Sequence, residues 1–156
     1  MNKRFFILCT LCAAISLRGI AAQGVYADSA VSYEKVENYF VSNKIEPEKD
    51  SSCRQGICTT KNQFDEIFHP AAVMWRNQKF LPQNYFDTHA VVYWIEWGNT
   101  PWQYTVKSVI AKGKTLQVRY SKQGEASDTA FFSPSLVIGI EKSALKDIEK
   151  IEFLNE

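Results

Sequence analysis

Read for its alternation of apolar and polar positions, the chain changes character near residue 89. The span 89–97 (HAVVYWIEW) is apolar and β-branched or aromatic at consecutive positions, which predicts a central strand buried on both faces. Gly98-Asn99-Thr100-Pro101 reads as a turn. Span 102–110 then alternates, placing Trp102, Tyr104, Val106 and Ile110 on one face. Lys112-Gly113-Lys114 turns the chain again, and Leu116, Val118 and Tyr120 alternate with Gln117 and Arg119, the pattern of a half-buried antiparallel strand. A polar connection over 121–127 leads to an apolar strand within 130–141, which Pro134 assigns to an edge or a bulge. Ile148, Ile151 and Phe153 mark a last short strand.

Upstream the period changes. Thr60 can cap a helix, Gln63 completes a capping box, and Phe64, Ile67 and Phe68 form its apolar stripe. Pro70 ends this helix or begins a second short turn over 71–75. Residues 28–52 are polar and irregular. Within them Tyr33, Val36, Glu37 and Phe40 have helical spacing, while Tyr39-Phe40-Val41 also suits a short strand. The expected fold is α+β and mostly antiparallel: a small closed or half-closed barrel, with one or two short helices preceding the strand meander.

Composition narrows this to one domain, with 156 residues, 46% apolar and 22% charged. The first 27 residues stand apart. Lys3 and Arg4 precede an apolar run of 13 residues, 5–17, and small residues lead to Ala27. That order is a secretory signal peptide, too short in its apolar run to span a bilayer. Cleavage after Ala27 is the first expectation and after Ala22 the second. Residues 28–156 would then form a single β-rich binding domain, periplasmic or secreted, with no membrane insertion after cleavage. Losing Lys3, Arg4 and Arg18 leaves 15 basic and 17 acidic residues, a balance without the basic footprint that nucleic acid requires.

Export also bears on the cysteines. Cys9 and Cys12 lie in the signal, so Cys53 and Cys58 remain as an even pair in an oxidising compartment, and a disulfide is expected. Closing so short a ring contributes only roughly 2 kcal/mol, so the staple would shape its own loop more than hold the fold. Zinc would need two further ligands, and only His69 and His89 are at hand. The pairs Glu66/His69 and Asp87/His89 are better read as a helix end and a strand face than as a metal site. No metal or cofactor is expected. No phosphate loop, dinucleotide fingerprint or nucleophile elbow is present, so no catalytic residue is assigned and the chain is not expected to be an enzyme.

The string Phe64-Asp65-Glu66-Ile67-Phe68-His69-Pro70-Ala71-Ala72-Val73-Met74, followed by alternating strands, resembles small exported Bacteroidota β-barrel-domain proteins. That loose group includes potempin-like protease inhibitors. The resemblance covers roughly residues 60–155 and implies a fold and an exported binding role. From the residues themselves, a protein-binding loop is expected at Arg54, Gln55, Gly56 and Ile57, held extended by the staple so that Arg54 is displayed without an ordering cost. Trp97 and Trp102 flank the turn and offer aromatic contact to a partner. The expected function is proteinaceous protease inhibition through exposed loops, with a co-exported or host protease as partner. An accessory or assembly protein of the cell envelope is the alternative, and a glycan-binding module the third; the oligomeric state is open.

Overall fold

A computed structural model describes residues 28–47, 51–71 and 80–156. The expected signal peptide and most of the expected turn over 71–75 lie outside the described residues. Among the described residues ten strands occur in order: β1 (Ser29–Ala30), β2 (Glu34–Lys35), β3 (Tyr39–Val41), β4 (Cys53–Cys58), β5 (Phe68–Pro70), β6 (His89–Glu96), β7 (Gln103–Lys112), β8 (Thr115–Gln123), β9 (Ser135–Glu141) and β10 (Lys150–Asn155). Helix α1 (Lys61–Ile67) lies between β4 and β5, and a single turn α2 (Tyr85–Thr88) runs into β6. Among the described residues no helix is long and apolar enough to cross a membrane.

The strands form an outer sheet, β1-β7-β8-β10, and a central sheet, β2-β9-β6-β4, with β3 and β5 as a separate pair. The mostly antiparallel α+β class is therefore correct, and the barrel is not. Among the described residues each sheet ends in outer strands that are paired on one side only. Between the two larger sheets the chain crosses from β1 to β2, from β6 to β7, from β8 to β9 and from β9 to β10, so these strands are shared between two separate sheets instead of closing one ring. Among the described residues the exception to antiparallel pairing is β10, which lies parallel to β8 from Lys150↔Thr115 to Asn155↔Tyr120.

β6 fulfils its pattern. Val91, Tyr93 and Ile95 join an inner core with Phe64, Phe68, Tyr85 and Phe86, while Val92 faces the outer core with Leu116, Val118, Leu136, Ile138 and Ile140. The central sheet is thus covered on both faces, by the outer sheet on one side and the helical layer on the other. On β7 the expected face fails at Ile110. Pairing jumps from Val106↔Tyr120 to Ser108↔Arg119, so Lys107 is an extra residue. Beyond this bulge the facing inverts and Val109 takes the buried place. The β7–β8 hairpin turns at Gly113, whose φ of +59° is one an L side chain rarely adopts.

Pro134 directly precedes β9, which lies inside the central sheet and not at its edge. The proline therefore needs no ladder donor. Helix α1 starts as expected: Thr60 Oγ1 accepts from Gln63 N at 3.3 Å. The glutamine reaches back one residue further than a capping box, to Thr59 N at 2.8 Å. The helix stops at Ile67, and Phe68 to Pro70 become β5, which pairs with Tyr39–Val41; the open 28–52 segment thus resolves as a strand there.

The staple is a further correction. Cys53 and Cys58 are free thiols at the two ends of β4. Five residues of strand separate their Cα atoms by roughly 16 Å, far beyond disulfide reach, and odd spacing puts them on opposite faces.

Candidate functional site

The expected site residues are dispersed. Arg54, Gln55, Gly56 and Ile57 lie within β4, an outer strand of the central sheet, so they are not a loop. Trp97 packs against the inner core, whereas Trp102 packs against the outer core and reaches the surface at the end of the sandwich.

There an apolar cleft of about 340 Å³ is lined by Phe40, Pro101, Trp102, Phe131, Phe132, Ser133 and Pro134. Three separate stretches meet: β3, the turn after β6, and the segment before β9. Its rim carries the two most exposed large apolar side chains among the described residues, Phe131 at 73% and Phe40 at 61%. Among the described residues Ser133 supplies the cleft's only hydroxyl, and no titratable group lines it. Such a wall suits recognition by shape and apolar burial.

The segment carrying Phe131 is held at both ends. Gly98 and Phe132 exchange backbone hydrogen bonds of 3.1 and 2.7 Å, and Ser127 N donates to Asn99 O at 2.7 Å. Ser127 Oγ accepts from Thr129 N at 3.3 Å and from Ala130 N at 3.2 Å. These bonds fix the loop to the 98–100 turn, the kind of preorganisation that lowers the ordering cost of binding.

Behind the cleft, Trp102 is pinned. Lys122 Nζ stands 4.4 Å from its ring centroid. A Cβ at Gly124 would lie 3.0 Å from Thr100 Cγ2 and 3.2 Å from the ring, so a larger residue there requires these neighbours to shift. Glu96 accepts from Lys122 Nζ at 2.7 Å and from Tyr104 Oη at 2.8 Å. Burial alone would raise the Glu96 carboxyl, but these donors outweigh it and hold it below its ordinary value. Burial, and then the Glu96 carboxylate, push the Tyr104 phenol far up.

The histidine pairs do not converge. His69 tilts against Phe40 and His89 stacks on Tyr85 with ring centroids 4.8 Å apart. Among the described residues no three His, Cys, Asp or Glu side chains are placed to hold a metal ion. Cys58 is fully buried, and desolvation pushes its thiol up to about 12, with Arg54 opposing in smaller measure.

Phe40, Phe131 and Phe132 were not among the expected site residues. A signal existed: Phe131-Phe132 is an aromatic pair set between a polar stretch and Pro134, with no alternation to bury it. Comparison with family models, curated proteins and solved structures finds no match to this chain.

Proposed function

We propose that the protein is an exported, non-enzymatic binding protein that grips a protein partner through the aromatic cleft and its anchored loop. A proteinaceous protease inhibitor, facing a co-exported or host protease, is the sharpest form of this reading. The observation that carries it is Phe131, presented at 73% exposure on a loop tied down at Ser127 and Phe132. An inhibitor needs a displayed side chain on a segment that loses little freedom on binding. The 124–134 segment has that form, in place of the 53–58 segment. The cleft argues against glycan binding, because a sugar site needs several polar side chains and Ser133 supplies the cleft's only hydroxyl.

The test is inhibition of a panel of serine, cysteine and metalloproteases by the parent protein and by Phe131→Ala. An aromatic anchor of this kind commonly costs 2 kcal/mol or more on truncation, roughly a 30-fold loss in affinity. The same change on a free surface should alter folding stability by no more than about 0.5 kcal/mol. No inhibition by the parent at micromolar concentration would sink the inhibitor form and leave the cell-envelope accessory role for the same face. Equal inhibition by both proteins would remove Phe131 from the contact.

A further inference from the structure

The outer edge of β4 has features that its place at a sheet edge does not require. Trp97 N donates to Ser52 O at 2.8 Å, which fixes the hydrogen-bonding sense of the β4–β6 ladder. With Cys53 opposite Glu96 and Cys58 opposite Val91, the backbone groups of Arg54, Gly56 and Cys58 point to β6. Those of Cys53, Gln55 and Ile57 point away from the sheet.

Both ends of this outward row are closed by local side chains. Ser51 Oγ accepts from Cys53 N at 3.2 Å and donates to Cys53 O at 3.1 Å. Thr59 N is taken by Gln63 Oε1 at 2.8 Å. Between these caps the N–H and C=O of Gln55 and of Ile57 have no partner among the described residues. Both residues are exposed.

Edges are ordinarily blunted by short strands, charges, proline or bulges. The other outer strands follow that rule, since β1 and β2 are two residues long and β10 carries Lys150 and Glu152. β4 is six residues with an unbroken register, no proline and no lysine.

The side chains define what fits. Arg54 lies on the inner-core face, half-buried, with no carboxylate paired to it among the described residues. Ile57 projects on the opposite face at 36% exposure. We propose that the outer edge of β4 is a strand-addition site, where an extended polypeptide pairs antiparallel across Gln55 and Ile57. This partner carries an apolar residue opposite Ile57 and, three positions later in its own sequence, a carboxylate opposite Arg54. Antiparallel pairing is the more stable ladder per residue, and exchange with Gln55 and Ile57 supplies four backbone hydrogen bonds. A second copy of β4 is a poor occupant. Pairing that matches the outward groups sets Gln55 against the copy's Ile57, which puts Cys58, and no carboxylate, opposite Arg54.

The test uses the whole protein and a capped hexapeptide, Thr-Ile-Thr-Thr-Asp-Thr, followed by amide hydrogen exchange and fluorescence anisotropy. Binding should slow exchange at the Gln55 and Ile57 amides and leave Gly56, already paired to β6, unchanged. Replacing the peptide's Asp by Lys should weaken binding about tenfold, and Arg54→Glu should restore the Lys peptide. Gln55→Pro removes an outward donor that the β6 ladder does not use, so it should abolish binding with the fold intact. Amides of Gln55 and Ile57 already protected without peptide, or unprotected at millimolar peptide, would overturn the site. Equal binding of the reversed sequence would overturn its direction. Phe131→Ala leaves this edge untouched, so failure here and failure of the cleft reading are separable.

Discussion

Glu96 shows how one residue links the sheets to the cleft. Its side chain and that of Lys122 are 20% and 21% exposed, so their contact is well shielded from water. Lys122 in turn covers Trp102, a wall of the cleft. Because the folded carboxyl sits below its ordinary value of 4.5, it contributes stability above that value and loses it as pH falls through the lower, folded one. Glu96→Gln leaves Lys122 desolvated against a neutral acceptor and should cost about 2 kcal/mol at pH 7. The gap to the parent should close as pH drops below the ordinary carboxyl value. Urea midpoints at pH 7 and pH 3 measure it. A gap of the same size at both would show that the charge of Glu96 contributes nothing.

At the scale of elements, β4 shows what parity decides. Cys53 faces the outer sheet, with its Sγ 3.2 Å from Ser51 Oγ, while Cys58 faces the inner core and is fully buried. A thiol reagent should therefore label one cysteine quickly in native protein, and the second only through opening. That second rate should be slower by at least about a thousandfold for a domain of ordinary stability. Both Cys53 and Cys58 should titrate as thiols in denaturant; a Cys53–Cys58 disulfide found by peptide mapping would contradict the strand. Much of this layer was legible beforehand. Thr60 and Gln63 announced α1, the alternation at Leu116, Val118 and Tyr120 announced β8, and the unbroken apolar run announced β6 as covered on both faces. What could not be read was non-local. The Lys107 bulge depends on how β7 meets β8, and the parallel course of β10 depends on a sheet crossing. The even cysteine count suggested a staple because count carries no facing. The cleft stayed hidden for the same reason: Phe40, Trp102 and Phe131 are distant in sequence and meet only because three connections end on one side of the sandwich.

At the scale of the molecule, β6 and β9 hold two cores together by alternation alone. Val91, Tyr93, Ile95 and Val137 point into the inner core, and Val92, Leu136, Ile138 and Ile140 into the outer one. Neither core can lose its central wall without exposing the other. The helical layer and the outer sheet should therefore unfold in one transition, although they do not share a face. Phe64→Ala empties a site in the inner core and Leu116→Ala one in the outer core, where both side chains are at most 2% exposed. Truncations of this kind cost about 3–5 kcal/mol for phenylalanine and about 2–5 kcal/mol for leucine. Each should lower the denaturation midpoint equally whether followed by far-ultraviolet circular dichroism or by amide exchange in α1 and in β8. The two sites lie in separate clusters, so their effects should add to within about 0.5 kcal/mol in the double variant. An early loss of α1 protection in Phe64→Ala, with β8 still protected, would mean that the helical layer is a separable cover. The binding surfaces give that outcome a consequence. Phe40 belongs to β3, which pairs with β5 in the helical layer, so a cover that opens alone would take one wall of the cleft with it while Trp102 and Phe131 stayed in place.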